Sequence, residues 1–314
     1  LHPDAFEHDL AFDQALQLTR EMSRTAKSCG KRLGIKFTNT LVVKNHKGYF
    51  PDEVMYLSGP PLHVLALNLL KSFRETLGTF ETRVLTSFSA GVDVKNIADV
   101  LSLNLVPVTV CTDMLKVPGY EKSLGYLQTL ADKIDEAGAI NLPDYVVKRF
   151  NHAISAIGDV FTALRKSIRQ PKSPTTEAQI RIFDTLQQRI LNALKENNDS
   201  LELLTTDALI VTKTLGSYHQ KYGDASFVPH SFKDLYKMIV AAAAQRNLDT
   251  LLYQTMLDPR YSAEKTTKIP KRLPGKLQTY DCTNCGRCIT ICPNTANFAY
   301  YVKPAQIPYE NYRI

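Results

Sequence analysis

The sequence lacks any apolar run long enough to cross a membrane. Its longest runs, such as MIVAAAA from Met238, fall far short of the roughly 18 consecutive apolar residues that a membrane helix requires. No charged segment followed by an apolar stretch opens the chain, so the sequence shows no secretory signal. We therefore expect a cytoplasmic protein with no membrane span.

Cysteine is scarce and unevenly placed. The 314 residues include 6 cysteines, of which Cys29 and Cys111 lie far apart and the other four fall within one short stretch near the end. Four cysteines that close together cannot pair comfortably as disulfides, which excludes a disulfide scaffold and indicates a reducing compartment. The remaining composition, 44% apolar and 22% charged, is that of an ordinary globular protein.

The sequence also lacks an aromatic-studded basic strand, the surface with which many proteins bind single-stranded nucleic acid. The net charge of +7 is modest, and part of it falls in the polar, proline-interrupted stretch DPRYSAEKTTKIPKRLPGK from Asp258. We interpret this stretch as an extended, solvated connector rather than a nucleic-acid site, so no nucleic acid is expected as a partner.

The first part of the chain alternates helical and strand patterns. An amphipathic helix over 10–29 precedes the strand-like runs LGIKFTNTLVV, RVLTSFSAG and VPVTVCT, which are separated by helical patterns over 62–77 and 94–103. Nearly continuous apolar strands joined by helices predict a parallel sheet buried on both faces. Binding and catalytic residues of such folds lie at the carboxyl ends of the strands.

From Glu121 to about Leu257 the sequence shows only helical patterns, including 175–194 and 231–255. This segment is either a packed helical cover or a contact for another domain or subunit. The predicted domains are a barrel part at 1–140, a helical segment at 141–257 and an iron–sulfur region at 258–314.

The stretch DCTNCGRCITICPNTAN carries the strongest motif. Cys282, Cys285, Cys288 and Cys292 follow the spacing C-x2-C-x2-C-x3-C, with Pro293 directly after. This is the bacterial ferredoxin spacing, and it predicts a [4Fe–4S] cluster. Zinc is the main alternative, but zinc sites usually take pairs of ligands separated by a spacer. Where the run occurs twice, its fourth cysteine binds the other cluster, so Cys292 either completes this cluster or points to a second one.

Polar residues end each predicted strand: Thr38-Asn39-Thr40, then Ser87 to Gly91, then Cys111-Thr112-Asp113. In a (β/α)8 barrel, phosphate groups bind the loops after strands seven and eight, and SAGVDVKN fits such a loop. Each group of residues alone is also compatible with ordinary turns and helix caps.

Three stretches carry a resemblance to a known family. KFTNTLVVKNHKGYFPDEVMYLSGPPLHVLALNLL, SFSAGVDVKNIADVLSLNLVPVTVCTDMLKVPGY and DCTNCGRCITICPNTANF resemble the family named for a selenate reductase iron–sulfur subunit. That family is similar to the flavin domain of dihydropyrimidine dehydrogenase and to dihydroorotate dehydrogenases. The resemblance implies an FMN barrel with iron–sulfur electron transfer. It covers residues 6–137 and 257–298.

The resemblance also implies roles for single residues. Asn39 and Thr40, in the T-N-T motif, would contact a small planar substrate. The residues implied in cofactor binding are Lys36, Ser58, Gly59, Ala90, Gly91, Cys111 and Thr112. Lys36 is equally compatible with a solvated position at the barrel mouth. Ala90-Gly91 falls where relatives carry Gly-Gly. The methyl group of Ala90 is therefore expected at a position where the backbone should lie close to the phosphate.

A complete barrel needs eight strands, and only three are legible. The predicted fold is therefore α/β: the C-terminal part, about three strands, of a (β/α)8 FMN-type barrel, then a helical segment and a ferredoxin-like motif. We expect further sequence or a partner chain to complete the barrel.

The expected function is that of an oxidoreductase part passing electrons between the cluster, FMN and a small planar substrate. Its expected redox partner is an NAD(P)H-flavin module or a ferredoxin. The alternative is an electron-relay or scaffold subunit with no flavin of its own.

Overall fold

A computed structural model describes most of the chain before residue 267. The described residues are 10–46, 48, 53–78, 84–115, 118–168, 174–197, 200–201, 204–223 and 227–266. The cysteine motif at 282–292 lies outside them.

The first part contains short strands between helices. Its elements are α1 (Phe12–Ser28), β1 (Leu33–Phe37), β2 (Leu41–Lys44), β3 (Val54–Leu57), α2 (Pro60–Leu77), β4 (Val84–Phe88), α3 (Ile97–Leu101) and α4 (Lys122–Glu136). β1 and β4 pair in parallel, with Leu33 opposite Val84 and Phe37 opposite Phe88. The predicted helices and the parallel pairing of the first two strand runs are confirmed.

Two details of the sheet differ from the sequence prediction. The run LGIKFTNTLVV is interrupted at 38–40, and β2 leaves the sheet to form an antiparallel pair with β3. The run VPVTVCT pairs with β4 at one bridging position, Val108 opposite Phe88. Its main chain still follows β4, because Val106 N donates to Thr86 O (2.9 Å) and Phe88 N to Pro107 O (3.1 Å). Pro107 has no amide hydrogen, which limits the pairing.

Within the described residues, helices cover one face of the sheet. Phe37, Phe88 and Val84 are buried on this face, and the Phe37 ring packs edge-on against Phe73 of α2. Gly34 and Lys36 on the opposite face are exposed. The prediction of a sheet buried on both faces therefore holds for one face of the described structure.

The described chain after α4 is helical, as the sequence predicted. Its elements are α5 (Leu142–Lys148), α6 (Ala153–Ser167), α7 (Pro174–Glu196), α8 (Thr205–Tyr222), α9 (Phe232–Leu257), a 3-10 turn (Pro259–Tyr261) and α10 (Ala263–Thr266). The predicted helices over 175–194 and 231–255 correspond to α7 and α9. α9 begins where the Ser231 hydroxyl accepts a hydrogen bond from Asp234 N, a standard N-cap.

α9 packs in two hydrophobic cores. Leu235 and Ile239, in its first half, lie in the core of the helical segment, whereas Leu248 and Leu251 lie in the core under the sheet. A helix buried on all sides needs apolar residues all round, and MIVAAAA supplies them. The domain boundary predicted at 140 stays a prediction, but α9 is shared by the cores on both sides of it.

Asn247 lies where the two cores meet. It is fully buried, and its Nδ2 donates to Ser102 O and to Val146 O, both at 2.8 Å. One carboxamide therefore ties α9 to the end of α3 and to α5.

We predict that Asn247→Ala lowers the free energy of unfolding by about 3 kcal/mol, because two buried carbonyl groups lose their donor and a cavity forms. Urea denaturation measures this loss. The matched control is Asn68→Ala on α2, where an exposed carboxamide bonds only to Val64 O of the same helix. Its expected loss is below about 0.5 kcal/mol. Equal losses would contradict a joining role for Asn247.

Candidate functional site

Two loops and one strand extension meet at the carboxyl edge of the sheet. A Cβ atom built on Gly91, after β4, would lie 2.3 Å from the carbonyl oxygen of Gly59, which precedes α2. A Cβ atom on Gly59 would lie 3.5 Å from Cγ2 of Thr112. Gly59, Gly91 and Thr112 were all predicted as cofactor-binding residues, and the fold brings them together.

Both glycines are required by the backbone. Gly91 has φ of 55° and Gly59 has φ of 70°, values in the left-handed region that side chains disfavour. At Gly91 the backbone contact adds a steric reason, because the nearest atoms belong to main chain that cannot rotate away.

The other predicted site residues lie around this contact. Ser58 is half-buried beside Gly59, and Cys111 is exposed beside Thr112. Lys36 is exposed near the end of β1, and Asn39 and Thr40 are exposed between β1 and β2. The predicted metal ligands Cys282, Cys285, Cys288 and Cys292 lie outside the described residues. Among the residues that the structure does describe, no group of three or more His, Cys, Asp or Glu side chains could hold a metal ion.

Ala90 is buried, and its side chain belongs to the core under the sheet. The methyl group was expected near the backbone that approaches a phosphate. It packs inward instead, so alanine in place of glycine leaves the surface of the loop open at this position.

His63 of α2 supports the loop after β4 from the buried side. It is fully buried on α2, and its Nδ1 lies 2.7 Å from the carbonyl oxygen of Ala90. Because a carbonyl only accepts, Nδ1 carries the proton and donates. Burial lowers the pKa of His63 below its ordinary value of 6.5, although the Ala90 carbonyl and the charge of Asp93 oppose this shift. The neutral ring stacks against Tyr261, with ring centroids 5.3 Å apart.

Asn96 fixes the far end of the loop. Its Nδ2 donates to Gly91 O and to the Tyr261 hydroxyl, both at 3.1 Å, and its Oδ1 accepts from Asp93 N at 2.8 Å. The Asn96 carboxamide therefore makes three hydrogen bonds, which join the loop to Tyr261 of the following turn.

The turn after α9 lies against the same loop. Arg260 pairs with Asp93 at 3.2 Å and with Asp258 at 2.7 Å. The sequence predicted an extended connector here. A 3-10 turn forms instead because Asp258 accepts from Arg260 N, and Pro259 suits the first turn position. The sequence analysis did not identify His63, Asn96 or Tyr261, because no local sequence pattern indicates a side chain that supports a distant loop.

In the described structure, some main-chain amides of the loop after β4 are not used in hydrogen bonds. The amides of Asp93, Lys95 and Asn96 bond within the loop. The amides of Gly91 and Val92 form no hydrogen bond with the other described residues. The nearby Asp93 carboxylate would repel an anion, but Arg260 pairs with it. Free amides beside a loop without side-chain obstruction fit a phosphate group.

The N-terminus of α2 contributes less. Pro60 and Pro61 occupy its first positions and have no amide hydrogen, and His63 N already bonds to Gly59 O at 3.2 Å. An anion bound at this edge would therefore rely on the loop after β4 and the segment after Cys111.

Comparison with known proteins agrees with this architecture. The family model described as "Oxidoreductase YgfK, N-terminal TIM-barrel domain" matches residues 1–157, half of the chain. The chain belongs to this family. Membership of an oxidoreductase family and the relationship to an α/β barrel domain are thus confirmed, whereas the link to a selenate reductase subunit stays a prediction.

Two curated relatives carry the same family name. They are the proteins of Escherichia coli strain K12 and of Escherichia coli O157:H7 described as "Putative oxidoreductase YgfK". Each is 32% identical over 151 residues, which is 48% of this chain and 14% of the relative. The chain therefore spans about one seventh of the length of these YgfK relatives. No solved structure matches the chain.

No helix in the described ranges has the length and apolar character needed to cross a membrane.

We predict that Gly91→Ala lowers the free energy of unfolding by about 3 kcal/mol, because the added carbon overlaps the Gly59 carbonyl and forces the loops apart. The matched control is Gly138→Ala, since Gly138 has φ of 58° but nothing within 4 Å of its Cβ position. This control should cost about 1 kcal/mol of backbone strain. Equal losses in urea denaturation would contradict a close contact at Gly91.

A second prediction concerns pH. The unfolded chain binds a proton at His63 more readily than the folded chain, so stability from this group is complete above pH 6.5 and falls as the pH drops below it. The loss is at most about 1.4 kcal/mol per pH unit. His63→Asn retains a donor for the Ala90 carbonyl and cannot titrate, so the stability loss between pH 7 and pH 5 should shrink. His46→Asn, at an exposed histidine, is the control; unfolding curves matching wild type in both variants would contradict this assignment.

Proposed function

We propose that this chain is part of an iron–sulfur flavoprotein oxidoreductase that binds FMN at the carboxyl edge of β1 and β4 and a [4Fe–4S] cluster at Cys282, Cys285 and Cys288. The observation that carries the flavin proposal is the contact between Gly91 and Gly59, beside which the amides of Gly91 and Val92 bond to none of the described residues. Family membership in a TIM-barrel oxidoreductase supports it.

The loop after β4 and the segment after Cys111 would hold the FMN phosphate. β4 and the segment over 106–109 run side by side, so their carboxyl ends lie at the same edge. In TIM barrels this edge carries the phosphate site, at the loops following strands seven and eight. When bound, FMN supplies hydride and single-electron transfer.

Residues nearer β1 would face the flavin ring and the substrate. Ser58-Gly59 passes close to the cofactor site without bulky side chains, and Lys36 lies exposed near the end of β1. The exposed carboxamide of Asn39 offers a donor and an acceptor to a planar substrate amide, with Thr40 beside it. A small planar molecule is accordingly the proposed substrate class.

The open face of the sheet supports a larger barrel. Leu85 of β4 is 40% exposed, and Gly34 and Lys36 of β1 are exposed on a face that the described helices leave uncovered. In a closed barrel, such a face lines the packed interior. We propose that further strands cover it, from a redox partner domain or subunit or from the remainder of the protein.

Reciprocal variants test the two cofactors. Gly91→Asp should abolish FMN content and leave iron content unchanged, because a carboxylate enters the phosphate loop. Cys285→Ser should abolish the iron content, about four per chain, and leave FMN in place. Flavin fluorescence after acid release and iron analysis on the same anaerobically reconstituted full chain provide both numbers.

Gly138→Asp is the control for Gly91→Asp, because it adds the same charge at another left-handed glycine. If Gly91→Asp fails to fold, the affinities of wild type for FMN and riboflavin replace it. A phosphate site predicts much tighter binding of FMN. Equal affinities, or unchanged flavin in Gly91→Asp, would contradict the proposed phosphate site, and cluster without flavin in wild type would favour the electron-relay alternative.

A further inference from the structure

A cavity of about 600 Å³ lies at the end of the sheet opposite the candidate flavin site. Leu33 and Val84, the first residues of β1 and β4, line it together with Val106. Its other walls come from the ends of α1 and α2 and from the first half of α9. The cavity is therefore separated from the carboxyl edge by the length of the strands.

The charge of this cavity is strongly one-sided. Its described lining contains no Asp or Glu and five cationic residues: Lys27, Lys31, Arg32, Arg74 and Lys237. Lys237 pairs with Asp234 at 3.0 Å. The side chains of Lys27, Lys31 and Arg32 form no ion pair or hydrogen bond within the described part of the chain. Positive charges grouped around a concave surface attract anions from solution.

Arg74 is the fixed member of this group. Its Nη2 donates to Thr86 Oγ1 at 3.1 Å and to Leu103 O at 2.8 Å, so the guanidinium is held in place. Its Nη1 is buried and has no hydrogen-bond partner among the described residues. A buried charged donor without an acceptor is costly. Arg74 lines the cavity, where a bound anion would balance the charge of its guanidinium. Burial lowers the pKa of Arg74 to about 10, which leaves it charged at neutral pH.

We propose that this cavity binds a small organic phosphate. A guanidinium bonds well to phosphate oxygens, and Lys27, Lys31 and Arg32, which pair with none of the described residues, can neutralise further charge. The wall formed by Phe73, Leu77 and Val240 would contact the organic part of the ligand. This site is independent of the proposed flavin site, because it lies at the other end of the strands.

Equilibrium dialysis of the full chain, saturated with FMN, against ATP or inorganic pyrophosphate tests the proposal. The triple variant Lys27→Gln, Lys31→Gln, Arg32→Gln should weaken the binding of both probes by about tenfold or more, since three phosphate contacts lose their charge. These side chains are exposed, so the fold should be kept, and a thermal unfolding curve checks this.

The control triple variant is Lys166→Gln, Lys195→Gln, Lys213→Gln, at exposed lysines that do not line the cavity. It removes the same net charge and should change binding by less than about twofold. Two outcomes would overturn the proposal: equal weakening by both triple variants, or no binding of either probe beside saturating FMN. ATP or pyrophosphate that binds beside saturating FMN and is lost only in the first variant would establish it.

Discussion

The backbone of Gly91 lies against the carbonyl group of Gly59, in a space that no side chain can share. This contact sets the distance between the loop after β4 and the start of α2. Two buried side chains bond to main chain on either side of it. His63, one turn into α2, reaches the Ala90 carbonyl, and Asn96 reaches back to the carbonyl of Gly91. The loop is thus held from three directions, while two of its amides form no hydrogen bond within the described structure.

The helical segment contributes to this site through α9. The helix is buried in both cores, and Asn247 bonds to main chain on either side of their junction. Because α9 is fixed along its length, the turn that follows it is delivered to the loop, where Tyr261 stacks on His63 and Arg260 pairs with Asp93. The same turn begins the stretch that leads toward the cysteine motif in the sequence. A segment predicted to be either a helical cover or a contact for another domain or subunit therefore also supports the loop after β4.

The sequence predicted the elements better than their contacts. Nearly continuous apolar runs predicted β1 and β4, and helical periodicity predicted α2, α7 and α9. These patterns are local, so the sequence alone reveals them. The polar residues at the strand ends predicted the site, since parallel strands bring their carboxyl ends to one edge. The β2–β3 hairpin was missed because the run through Thr38 looks continuous, although the chain turns there. His63, Asn96 and Tyr261 were missed because their partners are distant in sequence.

Ala90 is a single residue whose environment could not be predicted from the sequence. The sequence could say that a methyl group replaces hydrogen, but only the fold shows that it packs into the core. Likewise, Lys27, Lys31 and Arg32 lie at or just after the end of α1 and Arg74 lies on α2, and only the packing of α1, α2 and α9 around the sheet places them on one cavity. Long-range geometry is what local patterns cannot supply.

The visible absorption spectrum of the full chain, purified without oxygen and recorded before and after reduction with dithionite, tests the central claim most directly. The proposed phosphate site at the strand edge and the ferredoxin motif together predict resolved flavin bands above a broad iron–sulfur absorption, both of which bleach on reduction. A spectrum with neither flavin bands nor iron–sulfur absorption, from protein reconstituted with FMN, iron and sulfide, would contradict the account.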